Sequence, residues 1–323
     1  MPRLSRRSLP AFALGLAAPC VARAQLPSGT VRLVVPYNPG GISDILARGL
    51  AHEMGALLGR GVVVENRPGA NGSIGATMVA RAAPDGLTLL FGVTDTHAVN
   101  PAAMRNLQYD AVKDFAPISN VTNVPLALAV GPSRKELTSL AAFIAAAKAK
   151  PGGLTHSSWG VGSVSQIAML RLGEAAGIEL LHVPYTGAAP AAQALAAGQV
   201  DAMILPAGAA EALSRDGTVR ILAVLSPQRL ALLPNVPTLP EQGVTLSVSI
   251  IQAVFAPART PAETVAQLNK AVVDSLARPG MLDILRAQAA LPDPQTPAEL
   301  AALVLREQEA WGRVVRAGNI HLD

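Results

Sequence analysis

Cysteine is almost absent from this 323-residue sequence. The single cysteine, Cys20, lies within the first 24 residues, in a segment with the pattern of a removable leader. Without that segment the chain contains no thiol. Disulfide bonds, thiolate catalysis and cysteine-containing metal sites are therefore excluded together.

Histidine and the common catalytic motifs are also sparse. The five histidines form no i,i+4 pair and no His-Glu-x-x-His motif, which leaves a metal site without support. No Gly-x-Ser-x-Gly elbow occurs, and this weakens a hydrolase interpretation. Scattered aspartates such as Asp44, Asp95 and Asp201 have no partner that the sequence identifies, so the usual role of a cap or turn residue is expected for them. We predict no catalytic residue, no metal ion and no cofactor.

Outside its N-terminus the chain has no excess of charge of either sign. The formal net charge is +4, but Arg3, Arg6, Arg7 and Arg23 lie in the first 24 residues, where there is no acidic residue. Removing these four leaves 22 basic residues, which equals the number of acidic residues. A chain without net charge lacks the electrostatic footprint of phosphate-backbone binding, so nucleic acid is excluded as a main partner.

Residues 1–24 have the order of features found in a secretory signal. Basic residues come first, an apolar run follows from Leu9 to Ala18, and Ala22-Arg23-Ala24 forms a small-x-small cleavage site before Gln25. The apolar run is too short to span a bilayer. We expect cleavage after residue 24 and a periplasmic protein exported by the Sec or the Tat route, since Arg6-Arg7 also fits a twin-arginine signal. The alternative is an ordinary amphipathic first helix.

The rest of the chain alternates short β-branched runs with alanine-rich helical stretches. This alternation predicts an α/β fold with βαβ units and parallel strands. The predicted strands are Val31–Val35, Val62–Glu65, Thr88–Gly92, Leu126–Val130, Thr155–Ser158, Glu179–Val183, Ala202–Leu205 and Ile221–Leu225. Helices are predicted from about Ser43 to Leu58 and from Val164 to Ala176, and residues 261–317 are predicted to be all helical, with a capping box at Thr296.

Two glycine-rich loops join a predicted strand to a predicted helix. The first runs from Asn38 to Asp44 and the second from Ser157 to Ser163. Glycines at such a junction let backbone N–H groups of a helix N-terminus approach a ligand, so both loops are candidate anion sites. Alternatively, the first loop is only a tight turn in which Ser43 or Asp44 caps the helix.

The second loop also invites a dinucleotide-binding interpretation, because Gly160-x-Gly162 follows a strand. Its third glycine position is Ser165, and the acidic residue further on, Glu179, falls at the start of the next predicted strand instead of its end. A Rossmann cofactor site is therefore disfavoured.

Taken together, the motifs resemble a known family. The segments that carry the resemblance are Val35-Pro36-Tyr37-x-Pro39-Gly40-Gly41-x-x-Asp44, Val64-Glu65-Asn66-Arg67-Pro68-Gly69-Ala70-x-Gly72, Pro84-Asp85-Gly86-x-Thr88, Gly160-x-Gly162-Ser163, His182-Val183-Pro184-Tyr185-x-Gly187 and Pro234-x-Val236-Pro237-Thr238. In this order and spacing they resemble the substrate-binding receptors of tripartite tricarboxylate transporters, the Bug or TctC family. The resemblance covers essentially the whole chain after the leader.

The resemblance implies a two-lobed periplasmic binding protein of the Venus-flytrap, type II-like form, each lobe a mostly parallel sheet flanked by helices. By analogy the first lobe comprises residues 25–123 and 250–323, and the second comprises residues 124–249. The implied partners are a small carboxylate held between the lobes and the membrane permease subunits of the transporter, and we expect a monomer.

The resemblance also implies which residues bind the ligand. They lie in the two glycine-rich loops and in neighbouring strand ends: Tyr37, Pro39, Gly40, Gly41, Asp44, Thr94, Thr96, Ser158, Gly160, Gly162, Ser163, Tyr185 and Gly187. Helix N-termini supply partial positive charge, which explains why neither loop needs a lysine or arginine. The chain departs from the family's usual pattern at Thr186, at Gln166-Ile167 and in the segment Val248–Gln252.

Two other functions stay open at this stage. A secreted hydrolase or isomerase could use the same cleft, although no set of nucleophile, base and orienting residue is visible. A sensor partner that binds a ligand without transporting it would have the same sequence features.

Overall fold

A computed structural model describes residues 26–215, 217–318 and 320–322 of the chain. The expected leader over residues 1–24, together with its cleavage point, lies outside the described residues. Within the described part, no helix combines the length and the hydrophobicity that crossing a membrane requires.

Strands and helices alternate through most of the chain, as predicted. The strands are β1 Val31–Val35, β2 Val62–Asn66, β3 Thr88–Val93, β4 Phe115–Val130, β5 Thr155–Ser158, β6 Leu181–Pro184, β7 Ala202–Pro206, β8 Arg220–Val224 and β9 Ser249–Pro257. The helices are α1 Ile42–Leu58, α2 Ser73–Ala80, α3 Asn100–Ala103, α4 Leu140–Ala149, α5 Val164–Ala176, α6 Ala188–Ala196, α7 Ala207–Ser214, α8 Ala262–Leu276, α9 Pro279–Ala287 and α10 Pro297–Ala317.

The strands form one curled mixed sheet in the order β2-β1-β3-β9-β4-β7-β5-β6, and β8 also pairs with β4. Within it β1 is parallel to β2 and β3, and β5 is parallel to β6 and β7. The long strands β4 and β9 run antiparallel to their neighbours and connect the two parallel groups. The predicted α/β alternation with parallel strands is therefore present in both groups.

The change of partners along β4 divides the sheet. We call the group formed by β1, β2, β3, β9 and β4 residues 115–125 lobe 1, and the group formed by β5 to β8 and β4 residues 126–130 lobe 2. Helices α8, α9 and α10 pack on lobe 1. The predicted limits at 123/124 and 249/250 fall inside or at the ends of the connecting strands, and as domain limits they stay a prediction.

Helix α1 shows how the sequence specifies the packing of lobe 1. Leu46, Leu50 and Met54 recur at helical spacing and are fully buried, so one face of the helix covers the sheet. The helix ends at Gly59, whose φ of 63° is a left-handed conformation that glycine adopts without steric cost. The predicted capping box of α10 is confirmed at Thr296 and Glu299.

Two expectations for this fold were wrong. The first part of β4 was not predicted, because Pro117, Pro125 and several asparagines interrupt the β pattern and only pairing with β9 makes it extended. Strand β9 was also not predicted, although its apolar run is typical of a buried strand. The C-terminal region is also not all helical, since residues 288–296 connect α9 to α10 without helix. Pro292 and Pro294 disfavour helix there, and Asp293 donates its N–H to Val121 O over 3.0 Å.

Candidate functional site

A small cavity lies where the two lobes meet. Its volume is about 40 Å³. It is lined by Tyr37, Asn38, Pro39, Gly41, Ile42, Ser43, Val93, Asp95, Trp159, Ala188, Ala189, Pro206, Ile250 and Gln252. Most of these residues follow the carboxyl ends of parallel strands, where open α/β sheets bind ligands.

The first glycine-rich loop presents an open helix N-terminus to this cavity. Gly40 has a φ of 85°, and Gly41 is the N-cap of α1 with no side-chain hydrogen bond to the first turn. Gly41, Ile42 and Ser43 all line the cavity. The first N–H groups of a helix have no acceptor within the helix itself, so this end of α1 can bind a carboxylate.

Asp44 supports the loop from behind and does not line the cavity. Its carboxylate accepts hydrogen bonds from Gly40 N–H (3.0 Å), Arg48 Nε (3.0 Å) and Asn66 Nδ2 (2.9 Å). Burial opposes its ionisation, but the hydrogen bonds from Arg48, Gly40 and Asn66 outweigh burial and lower the pKa of Asp44. Asn66 also donates to Tyr37 O over 3.0 Å, a supporting role that no sequence signal indicated.

In the second glycine-rich loop, side chains of lobe 2 form hydrogen bonds with the loop's own polar groups. The Ser163 hydroxyl donates to Gly160 O over 2.7 Å and accepts, more distantly, from Gln166 N–H as the N-cap of α5. Gly162 N–H donates to Gln166 Oε1 over 2.6 Å. The Ser158 hydroxyl lies 2.6 Å from His182 Nε2. In this conformation the predicted ligand-binding hydroxyls Ser158 and Ser163 are used within lobe 2.

Asp95 completes the cap of α5 from the other lobe. Its carboxylate Oδ1 accepts the Val164 N–H over 2.9 Å, and the side chain is 1% exposed. Burial raises the pKa of Asp95 to about 6, although hydrogen bonds from Val164 N–H and the Trp159 indole favour the charged form. The expected capping role is thus found, but the capped helix lies in lobe 2, which sequence proximity does not reveal.

Two further hydrogen bonds join the lobes. Asn38 Nδ2 donates to Thr186 O over 2.7 Å, and Asn71 Nδ2 donates to Gly162 O over 3.2 Å. The three lobe-1 residues, Asn38, Asn71 and Asp95, each follow a different parallel strand of that lobe. Together they hold the lobes in a closed arrangement.

The loop after β6 brings the N-terminus of α6 to the cavity. Gly187 is the N-cap of α6 without a side-chain hydrogen bond, and a Cβ there would lie 3.1 Å from Asn38 Nδ2. Ala188 and Ala189 line the cavity, whereas Tyr185 lies beside them with its N–H donated to Ser158 O.

Thr94 and Thr96 lie in the wall behind the cavity. The Thr94 hydroxyl accepts the Ile251 N–H over 2.8 Å, and the Thr96 hydroxyl lies 2.9 Å from both Val93 O and His97 Nδ1. Burial lowers the pKa of His97 to about 3, so the imidazole is neutral. These contacts fix the end of β3 and thereby position Asp95.

Of the predicted site residues, Tyr37, Pro39 and Gly41 line the cavity. The other predicted residues are not among its lining residues: Gly40, Asp44, Thr94, Thr96, Ser158, Gly160, Gly162, Ser163, Tyr185 and Gly187. The other lining residues were not among the predicted site residues, and they include Asp95, Trp159 and Gln252. The only sequence signal for Gln252 was the departure of the segment Val248–Gln252 from the family's usual pattern.

Gln252 Oε1 is a buried polar atom at the cavity that has no hydrogen-bond partner among the described residues. The buried Tyr37 hydroxyl lies beside the Asp95 carboxylate. Burial, and then the charge of Asp95, raise the pKa of Tyr37 well above its ordinary value, so the phenol keeps its proton. Buried polar groups are normally paired, and a ligand in the cavity would supply the partner.

A larger groove of about 520 Å³ lies elsewhere, between Lys148, Arg171 and Glu174 on one side and Val314 and Ile320 on the other. Its lining contains no helix N-cap and no residue that follows the carboxyl end of a parallel strand, so its size alone does not make it the binding site. In the described part of the chain, no group of three or more His, Cys, Asp or Glu residues could hold a metal ion.

Comparisons with known proteins confirm the predicted fold of a periplasmic binding protein. The family model of the tripartite tricarboxylate transporter family receptor, TctC, matches residues 46–320. Protein BugT of Bordetella pertussis is 36% identical over 308 residues, which cover 94% of this chain and 93% of that protein.

Solved structures are similar over nearly their whole length. MatC from Rhodopseudomonas palustris with bound malate has a TM-score of 0.83 and 36% identity, covering 88% of this chain and 98% of that one. A second R. palustris protein, solved with adipate, has a TM-score of 0.88 and 33% identity, covering 92% and 99%. The periplasmic binding protein BugD has a TM-score of 0.86 and 31% identity, covering 91% and 99%.

Proposed function

Because the chain belongs to the TctC family of tripartite tricarboxylate transporter receptors, we propose that it captures a small carboxylate between its two lobes and delivers it to membrane permease subunits. The family is one of solute-binding receptors for small carboxylates. Similar structures contain malate and adipate, both of which are carboxylates.

The open N-terminus of α1 at the cavity carries this proposal. Its first N–H groups have no side-chain acceptor, and they lie at the meeting point of two lobes. A ligand carboxylate bound there accepts hydrogen bonds from these N–H groups and interacts favourably with the helix dipole. The uncapped N-terminus of α6 faces the same cavity from lobe 2, so one ligand can contact both lobes.

Ligand binding then shifts the equilibrium between an open and a closed form toward the closed form. A volume of about 40 Å³ leaves little room for a carboxylate in this closed form. The ligand binds first to an open form, and closure adds the contacts of the second lobe. The hydrogen bonds of Asn38, Asn71 and Asp95 supply the protein's own contribution to closure.

An enzymatic function is not favoured. His97 is neutral and buried behind the cavity, and the Ser158 and Ser163 hydroxyls both donate hydrogen bonds to Gly160 O within lobe 2. We propose a receptor without catalysis. A sensor partner would use the same binding and closure, and a transport assay with the permease subunits distinguishes the two.

We also propose a periplasmic location, with export directed by residues 1–24 and a mature chain that begins at Gln25. The intact mass of protein recovered from the periplasm tests this. A recovered chain that retains residues 1–24, in a host that processes other signals, would contradict it.

A thermal-shift screen followed by calorimetry tests the proposed binding function. The panel contains mono-, di- and tricarboxylates, aromatic acids and amino acids. Ligand at 100 times its dissociation constant adds about 2.7 kcal/mol to the unfolding free energy, which is a clear shift. Small-angle scattering of the same samples measures compaction on closure. If no carboxylate shifts the melting temperature and none changes the scattering, the proposal fails.

A further inference from the structure

The carboxylate of Asp95 is an unusual group to find in a carboxylate-binding cavity. It lines the cavity, is almost completely buried, and accepts the Val164 N–H at the N-terminus of α5. That helix end is one of the anion positions that lobe 2 could offer to a ligand. In this structure the Asp95 carboxylate, from lobe 1, already occupies that position.

No basic side chain balances this charge at the cavity. The cavity-lining residues include neither lysine nor arginine. The hydrogen-bond donors at Asp95 are neutral groups, the Val164 N–H and the side chains of Trp159 and Asn71. A buried carboxylate without a cationic partner is energetically unfavourable, and a ligand cation placed beside it would relieve that cost.

The neighbouring polar atoms favour a ligand that donates hydrogen bonds at this end of the cavity. Gln252 Oε1 is an acceptor that is buried without a partner among the described residues, and the oxygen of the Tyr37 hydroxyl can also accept. An ammonium group has three donors and no acceptor, which matches a carboxylate, an amide oxygen and a hydroxyl. A second ligand carboxylate would instead meet acceptors and a like charge.

We propose that Asp95 is the specificity-determining residue of this receptor and selects ligands that carry one carboxylate and one ammonium group. The ligand carboxylate binds at the N-terminus of α1, and the ammonium group pairs with Asp95 and Gln252. This inference rests on the proposed carboxylate-binding function and narrows its ligand class from carboxylates in general to amino monocarboxylates.

Matched ligand pairs test the proposal on the complete mature protein. Each pair differs only in one terminal group: β-alanine and succinate, 4-aminobutyrate and glutarate, 5-aminovalerate and adipate. Alanine and lactate extend the series to α-substituted acids. We expect the ammonium member of the best-fitting pair to bind about ten- to a hundred-fold more tightly by calorimetry, the range for one hydrogen bond to a charged group.

The Asp95→Asn variant separates charge from lobe closure. The asparagine Oδ1 can still accept the Val164 N–H, whereas the negative charge is lost. We expect the preference for the ammonium member to fall by about ten- to a hundred-fold and binding of the dicarboxylate member to improve. The control is Asp274→Asn, which removes an exposed carboxylate of α8 that pairs with Lys270, and it should leave every affinity unchanged.

The outcomes distinguish this inference from the function on which it rests. If the wild-type protein binds dicarboxylates as tightly as their ammonium partners, or if Asp95→Asn leaves the preference intact, the specificity role of Asp95 is refuted while carboxylate binding stands. If hydroxyl-bearing acids bind as tightly as the ammonium ligands, Asp95 recognises a neutral donor and the ammonium assignment is wrong. If no member of any pair binds, the proposed function itself fails. The wild-type comparison is decisive even where the variant does not fold.

Discussion

The two glycine-rich loops follow the same sequence plan but differ in what their helix N-termini bind. In lobe 1 the N-cap Gly41 leaves the first turn of α1 without a side-chain acceptor. In lobe 2 the first N–H groups of α5 are taken by Ser163 and by Asp95 from the other lobe, and Gln166 takes the N–H of Gly162. A glycine-rich strand–helix junction therefore indicates where an anion can bind, but not whether an internal acceptor already binds there.

The largest expected effect comes from obstructing the open loop. A Cβ at Gly41 would lie 4.0 Å from Ala188 Cβ, and its φ is ordinary, so the Gly41→Val backbone is tolerated while the γ-methyl groups project between the lobes. We expect ligand binding to fall below detection by calorimetry. Gly61→Val, at an ordinary φ outside the cleft, is the matched control and should bind normally. Parent-like affinity in Gly41→Val would show that this loop is only a turn.

The next effect concerns the pH dependence of the unfolding free energy. Burial raises the pKa of Asp95 from 3.8 to about 6, so the folded chain holds more protons than the unfolded chain between these values. The unfolding free energy therefore decreases as the pH rises through this interval. Asp95→Asn should be more stable than the parent at pH 7, by at most about 3 kcal/mol, and similar to it near pH 4.

Denaturant unfolding at several pH values measures this difference. The other titratable groups at Asp95 do not interfere, because Tyr37 and Tyr109 have raised pKa values and His97 has a lowered one, so all three keep one form over the interval. A stability difference that is constant from pH 4 to pH 7 would show that Asp95 does not titrate as described.

A smaller effect is expected from one interlobe hydrogen bond. Asn38→Ala removes the bond to Thr186 O, which is exposed and neutral, and should weaken ligand affinity by about five-fold through faster dissociation. Gln228→Ala, at an exposed position of lobe 2, serves as the control. An unchanged dissociation rate would mean that this bond does not contribute to closure.

The smallest effect sharpens the comparison of the two loops. Ser163→Ala removes the N-cap of α5, which should lower the unfolding free energy by about 1 kcal/mol. If the hydroxyl stays in the cap when ligand is bound, affinity changes little. A ten- to hundred-fold loss of affinity would instead support the predicted contact between Ser163 and the ligand carboxylate, with the hydroxyl leaving Gly160 O on binding.

Much of the site could be anticipated because it follows local rules. The open turn at Gly40 and Gly41 and the cap at Ser163 depend on residues only a few positions apart, so the sequence indicates them directly. Gln252 was not placed at the site, because the partner strands β3 and β4 lie far away in the sequence and only the pairing with them brings this residue to the cavity. Asp44 was expected at the ligand, but its hydrogen bonds to Arg48 and Asn66 assign it a supporting position.

The sequence by itself determined the α/β alternation, the family, and the two strand–helix junctions at which an anion can bind. These depend on hydrophobic periodicity, on glycine backbone freedom and on helix capping, all of which act over a few residues. Only the tertiary structure decided that Asp95 crosses from the end of β3 to the N-terminus of α5, 69 positions away in the chain. Such a contact depends on how the lobes close on each other, and long-range electrostatic pairing leaves no local pattern in the sequence.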